Sequence, residues 1–146
     1  ILVGLANAYF DWGNEVQQSS QANTALTGAD RPMWISASEY YARAMKLQFD
    51  PNVGTDQAIA LFYAGRPSDA IKAINATIKK APKHPPARFN AGLFYRAVND
   101  IPKATAAFEV YLKLESTGDQ SYAARKYLND MKGTGGTGTT PATVTP

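Results

Sequence analysis

The stretch DQAIALFYAGRPSDAIKAINATIKKAP, Asp56 to Pro82, aligns without gaps with NAGLFYRAVNDIPKATAAFEVYLKLES, Asn90 to Ser116, at a spacing of 34 residues. Ala58 pairs with Gly92, Leu61 with Tyr95, Gly65 with Asn99, Ala70 with Ala104, Ile74 with Phe108 and Ile78 with Leu112. Each segment reads as a helix, a turn and a second helix. Ala58/Gly92 and Ala70/Ala104 are small where two antiparallel helices approach, and Leu61/Tyr95 and Ile74/Phe108 are large enough to fill the space around them. Gly65 and Asn99 are the residue types that best tolerate a left-handed helix end, and Pro67 and Pro102 follow where a new helix starts. Ser68 and Asp69 add polar and acidic groups to that first turn.

Working outward, LANAYFDWGN from Leu5 to Asn14 reads as the first helix of an earlier unit, with Ala6, Tyr9 and Gly13 in register. SEYYARAMKLQFDP from Ser38 to Pro51 reads as its second helix, with Ala37, Tyr41 and Ala44 in register. The insert EVQQSSQANTALTGADRPMW separates them, lengthening both helices and closing in a loop at GADRP, where Gly28, Asp30 and Pro32 are expected to stop a helix. Met33 and Trp34 make this insert a candidate contact surface. After Ser116, QSYAARKYLNDMK is an amphipathic helix with Tyr122, Ala123, Tyr127 and Met131 expected on one side, placed to cap the last unit.

At these residues the chain resembles the tetratricopeptide repeat family, bacterial type. Its 34-residue unit carries a small residue, an aromatic, a turn Gly, an Ala, a second aromatic and a closing Pro in this order. The resemblance implies an all-α, right-handed α-solenoid of about three helix pairs, the first with an insertion, then a capping helix and an extended tail. The domain is expected over 1–132, with repeats at about 1–51, 52–85 and 86–117, a capping helix at 119–132 and a low-complexity Thr/Gly/Pro tail at 133–146. It also implies a concave groove that holds a partner's extended segment or helix. Carried over residue by residue, the groove comprises Val3, Asn7, Phe10 and Asp11, then Asn52, Thr55, Ile59, Phe62 and Tyr63, then Pro86, Phe89, Leu93, Arg96 and Ala97. This set is mainly apolar, with a share of its aromatics expected in the core. The family's carboxylate clamp falls on Val3, Asn7, Asp56, Pro86 and Asn90, where only the two asparagines fit, so an acidic-tail receptor is disfavoured. The implied function is a non-catalytic protein-interaction scaffold whose ligand is an apolar or Pro-containing segment of another protein or of another copy of the chain.

Composition narrows the alternatives. With 45% hydrophobic and 18% charged residues, 146 residues suit one domain with a sizeable core. The net charge of +3 is spread along the chain. Its densest cluster, Lys79, Lys80, Lys83 and His84, suits a helix C-terminus, so nucleic acid is not expected as a partner. Zero cysteines exclude disulfides, thiolate metal sites and a cysteine nucleophile. His84 stands alone, and the acidic residues are scattered, so no metal site, cofactor or acid/base pair is expected and the chain reads as no enzyme. GTGGTG at Gly133 to Gly138 matches a dinucleotide fingerprint by letter but lacks the strand before and the helix after it. No run approaches a membrane span. ILVGLANAYF lacks a signal peptide's features, and Ile1 in place of Met is expected to mark a processed chain or a fragment. The cell envelope or exterior is favoured over the cytoplasm as the compartment.

The tail GTGGTGTTPATVTP holds four Gly, six Thr and two Pro among fourteen residues. Its Gly half reads as a tether and TTPATVTP as a docking segment with β and polyproline leanings. Thr140, Pro141 and Val144, with Met33 and Trp34, are therefore candidate intersubunit contacts, and a self-assembling subunit of a fibre or surface layer is the alternative function. The triplet Asn75-Ala76-Thr77 and the tail threonines are candidate sugar acceptors.

Overall fold

The computed structural model describes residues 1–22, Gly28 and 30–134; Thr140, Pro141, Val144, the rest of the insert and the tail beyond residue 134 lie outside them. Seven helices account for the described chain: α1 (Leu2–Ala22), α2 (Arg31–Leu47), α3 (Pro51–Tyr63), α4 (Pro67–Lys80), α5 (Pro85–Ala97), α6 (Ile101–Leu114) and α7 (Asp119–Thr134). This is the expected all-α solenoid of helix pairs.

Helix starts follow one rule. From α2 to α6 each helix has a proline in its first turn, where the missing N–H costs nothing and φ is already helical. Asp50 and Asp100 add side-chain caps to α3 and α6. Gly65 and Asn99 both adopt positive φ, at 77° and 62°. In both turns the following amide reaches back five residues, Arg66 N–H to the Leu61 carbonyl and Asp100 N–H to the Tyr95 carbonyl, closing the helix end in the same way. The 34-residue register is thus present in backbone geometry.

Two expectations are corrected. Pro32 starts a helix where a stop was expected: α2 begins at Arg31, so it extends upstream of Ser38 into the insert. On α7 the buried side chains are Ser121, Ala124, Leu128 and Met131, whereas Tyr122 is 73% exposed. Tyr122 lies one position off the i, i+3, i+7, i+10 stripe that meets α6, and packing against that helix decides the face.

Three clusters run along the solenoid. Ala6, Ala37, Tyr41 and Ala60 join α1, α2 and α3. Ala58, Leu61, Ala70, Ile74, Ala91 and Phe94 join α3, α4 and α5, and Phe89, Ala104, Phe108, Tyr111, Ala124 and Leu128 join α5, α6 and α7. Helix α3 packs directly on α5, while α2 and α4 diverge around an open cleft of about 440 Å³ floored by Ala42, Met45, Leu61 and Ala73. The odd-numbered helices therefore form the inner face of the curve.

Small residues set the helix spacing. A Cβ on Gly92 would lie 2.6 Å from the Phe108 ring, whereas one on Gly4 would meet nothing within 4 Å. Gly92→Ala should therefore destabilise by about 1–3 kcal/mol through overpacking. Gly4→Ala, in an open part of α1, should stabilise by up to about 1 kcal/mol. Urea unfolding of the two variants checks this, and equal midpoints would contradict the register.

Candidate functional site

On α3, Asn52, Asp56, Ile59 and Tyr63 follow i, i+4, i+7 and i+11 and so share one stripe. Val53 and Ala60 pack toward α1 and α2, and Ala58 and Leu61 toward α4, which leaves this stripe on the inner face. Asn52 and Tyr63 are exposed, Asp56 and Ile59 half-buried. The matching positions on α5, by the 34-residue register, are Pro86, Asn90, Leu93 and Ala97. On α1, Asn7 and Asp11 are exposed one turn apart. An apolar centre of Ile59, Tyr63, Leu93 and Ala97 is thus flanked by polar groups toward α1.

Aromatic packing holds the face in shape. Phe10 meets the Trp34 ring edge-on at 4.8 Å, and Trp34 lies 5.0 Å from Tyr63. Phe62 stacks on Phe94 at 4.7 Å. Arg96 places its guanidinium 4.7 Å from the Tyr127 ring centre, beside a cleft between α5 and α7 lined by Leu93, Ala97 and Met131.

Several groove candidates lie elsewhere. Thr55 is buried, its hydroxyl donating to the Pro51 carbonyl, and Phe89 is buried against Phe108 and Tyr111, so both are core. Phe10 and Phe62 are half-buried and act mainly through their ring contacts. Ile59, Tyr63, Leu93 and Arg96 remain at the face. Trp34 is not a contact residue of the insert. It is fully buried, its ring covers Gly13, and its Nε1–H donates to Asp30 Oδ2 at 3.0 Å. Its spacing to Ala37 and Tyr41 (i, i+3, i+7) was the available signal. Met33 beside it is half-buried.

The clamp positions are occupied by other chemistry. Asn7 Oδ1 accepts the Tyr41 hydroxyl at 2.7 Å, and Asn90 Nδ2 donates to the Pro86 carbonyl at 2.9 Å. Asp56 carries a raised pKa, first because burial disfavours its charge and second because Asp50 is near. The Tyr41 hydroxyl is also raised, first by burial and then by the charges of Asp56 and Asp11. Burial lowers the pKa of His84, which precedes α5 away from this stripe. Among the described residues no three His, Asp or Glu side chains gather as a metal site requires, and no helix is long and apolar enough to cross a membrane. In the sequon, Asn75 donates to the Tyr95 hydroxyl and Thr77 is buried in α4.

Residues 55–120 match the family model of the tetratricopeptide repeat. That segment carries the repeat, and solved domains of that class share the fold of the chain. The Sgt2 TPR domain from Aspergillus fumigatus superposes with a TM-score of 0.68 at 18% identity, over 92% of this chain and 87% of that one. The first TPR domain of Spaghetti (RPAP3), bound to the HSP90 peptide SRMEEVD, gives 0.65 at 17% identity, over 90% and 93%. PcrH in complex with the chaperone binding region of PopD gives 0.64 at 13%, over 88% and 92%. No curated protein matches the chain in sequence.

The raised pKa of Asp56 has a thermodynamic consequence. A carboxyl that holds its proton more tightly when folded contributes its stability below the ordinary carboxylate pKa and loses it as pH rises through the folded value. Ionised Asp56 therefore costs the fold stability near neutrality. Asp56→Asn should raise the urea midpoint at about pH 7, with the gain fading toward about pH 3, where both side chains are neutral. An unchanged or lower midpoint at neutral pH would contradict this.

Proposed function

We propose that the chain is a non-catalytic protein-interaction scaffold whose inner face binds an extended apolar segment of a partner protein, including one supplied by another copy of the chain. The observation that carries this reading is the accessible stripe of Ile59, Tyr63, Leu93 and Ala97 on the inner helices. Tyr63 is 46% exposed there, where rigid aromatic area is available to a ligand at low entropic cost. The fold supports the same reading, since two of its structural relatives were solved with segments of other proteins bound.

Peptides selected from a random display library on the full chain test it. They should lose about tenfold or more in affinity with Tyr63→Ala and Ala97→Glu, both at exposed positions. Ala76→Glu in the outer cleft between α2 and α4 should leave binding unchanged. Sensitivity to Ala76→Glu alone would move the binding surface to the outer face.

One observation favours self-assembly as a second reading. Leu5 and Trp12 lie exposed on one side of α1, with Trp12 at 50%, as an apolar strip on the first repeat. Repeats bury such faces against a neighbour. In this reading the chain associates through that strip and the tail beyond Lys132 adds contacts. Sedimentation velocity should then show concentration-dependent association that Trp12→Glu reduces. A monomer at every concentration would rule self-assembly out.

A further inference from the structure

The cleft between α5 and α7 stands at the C-terminal ends of both helices. Leu93, Arg96 and Ala97 line it from α5, Asp130 and Met131 from α7, and Asn99 and Ile101 from the turn into α6, around about 630 Å³. Helix α3 packs directly on α5, whereas α7 packs on α6, and the space beside α5 stays open. Leu93, Ala97, Ile101 and Met131 give the cleft apolar walls. Arg96 and Asp130, both exposed, put one charge of each sign at its edge. A charged ligand meets a like charge on one side, so the cleft suits an uncharged, apolar segment. Leu93 and Ala97 also belong to the stripe proposed above to bind a partner.

One such segment leaves α7 beside the cleft. The helix ends at Thr134, one turn beyond Asp130 and Met131. Residues 135–146, outside the described residues, read GGTGTTPATVTP, without a charged side chain. Glycine at three of the first four positions lets the chain reverse direction. Residues 135–140 extend up to about 20 Å, roughly twice the width of a helix, so Pro141 and Val144 have the reach to meet α5. We propose that Pro141 to Val144 dock in this cleft of their own chain, with Pro141 and Val144 against Leu93, Ala97, Ile101 and Met131. A tether this short holds the segment at an effective concentration on the order of millimolar, so weak apolar contact is enough to fill the cleft. The same tether favours the chain's own tail over that of a second copy in dilute solution. Resting on the inner face as the binding surface, the tail then competes with the partner for Leu93 and Ala97 and lowers the partner's apparent affinity.

Val144→Glu in the full chain tests the proposal, because the core clusters of the described residues end at Met131 and the substitution lies beyond them. In backbone amide spectra it should shift the signals of Leu93, Ala97, Ile101 and Met131. Ala97→Glu should in turn shift the tail amides, whereas Ala76→Glu in the outer cleft should leave them in place. Display-selected peptides should bind the Val144→Glu chain about three- to tenfold more tightly than the unaltered chain, since the tail no longer competes. Shifts confined to residues 135–146 in Val144→Glu overturn the docking. If unlabelled, unaltered chain added to the labelled Val144→Glu chain restores the cleft signals, the occupant is another copy's tail, and the assignment to the same chain is overturned. Cleft shifts with unchanged peptide affinity leave the tail docked and overturn the inner face as the partner's surface.

Discussion

Close approach of paired helices at small residues is the constraint on which this structure rests. Gly92 lies against the Phe108 ring, Gly54 against Thr77 and Met45, and Gly13 against the face of Trp34. At each, a side chain of the partner helix occupies the volume that a Cβ would need, so the spacing of the pair follows from the absence of one atom. Phe108 and Trp34 are then completely buried. The curvature follows from the same contacts, because tightly paired helices stack through α3 on α5 while α2 and α4 diverge. An inner face exists because α3 and α5 are drawn together.

How much of this was legible in the sequence depends on whether a feature is local. The turns at Gly65 and Asn99 were legible because a left-handed helix end restricts residue choice at one position. The small and large pairs were legible because they recur at 34 residues. Trp34 was not, because Pro32 carries two meanings, a stop for the helix before it and a start for the helix after it, and the second applies. Thr55 and Phe89 were placed in the groove by family position, yet burial depends on which neighbouring helix covers a side chain, and α6 covers Phe89. Tyr122 failed for a like reason: its helix offers two adjacent apolar stripes, and contact with α6 selects one.

The setting of Asp56 was hidden for a different reason. The pKa of its carboxyl is raised first by burial and second by Asp50, and burial depends on which helices cover α3, which no local pattern around Asp56 shows. An ionised carboxyl where burial opposes its charge costs the fold stability.

The most direct measurement of the central claim is a crystal structure of the full chain with a display-selected segment bound. That segment should lie in extended form across α1, α3 and α5, with an apolar side chain on Ile59 and Tyr63. A segment seated instead between α2 and α4, over Met45 and Ala73, would contradict it.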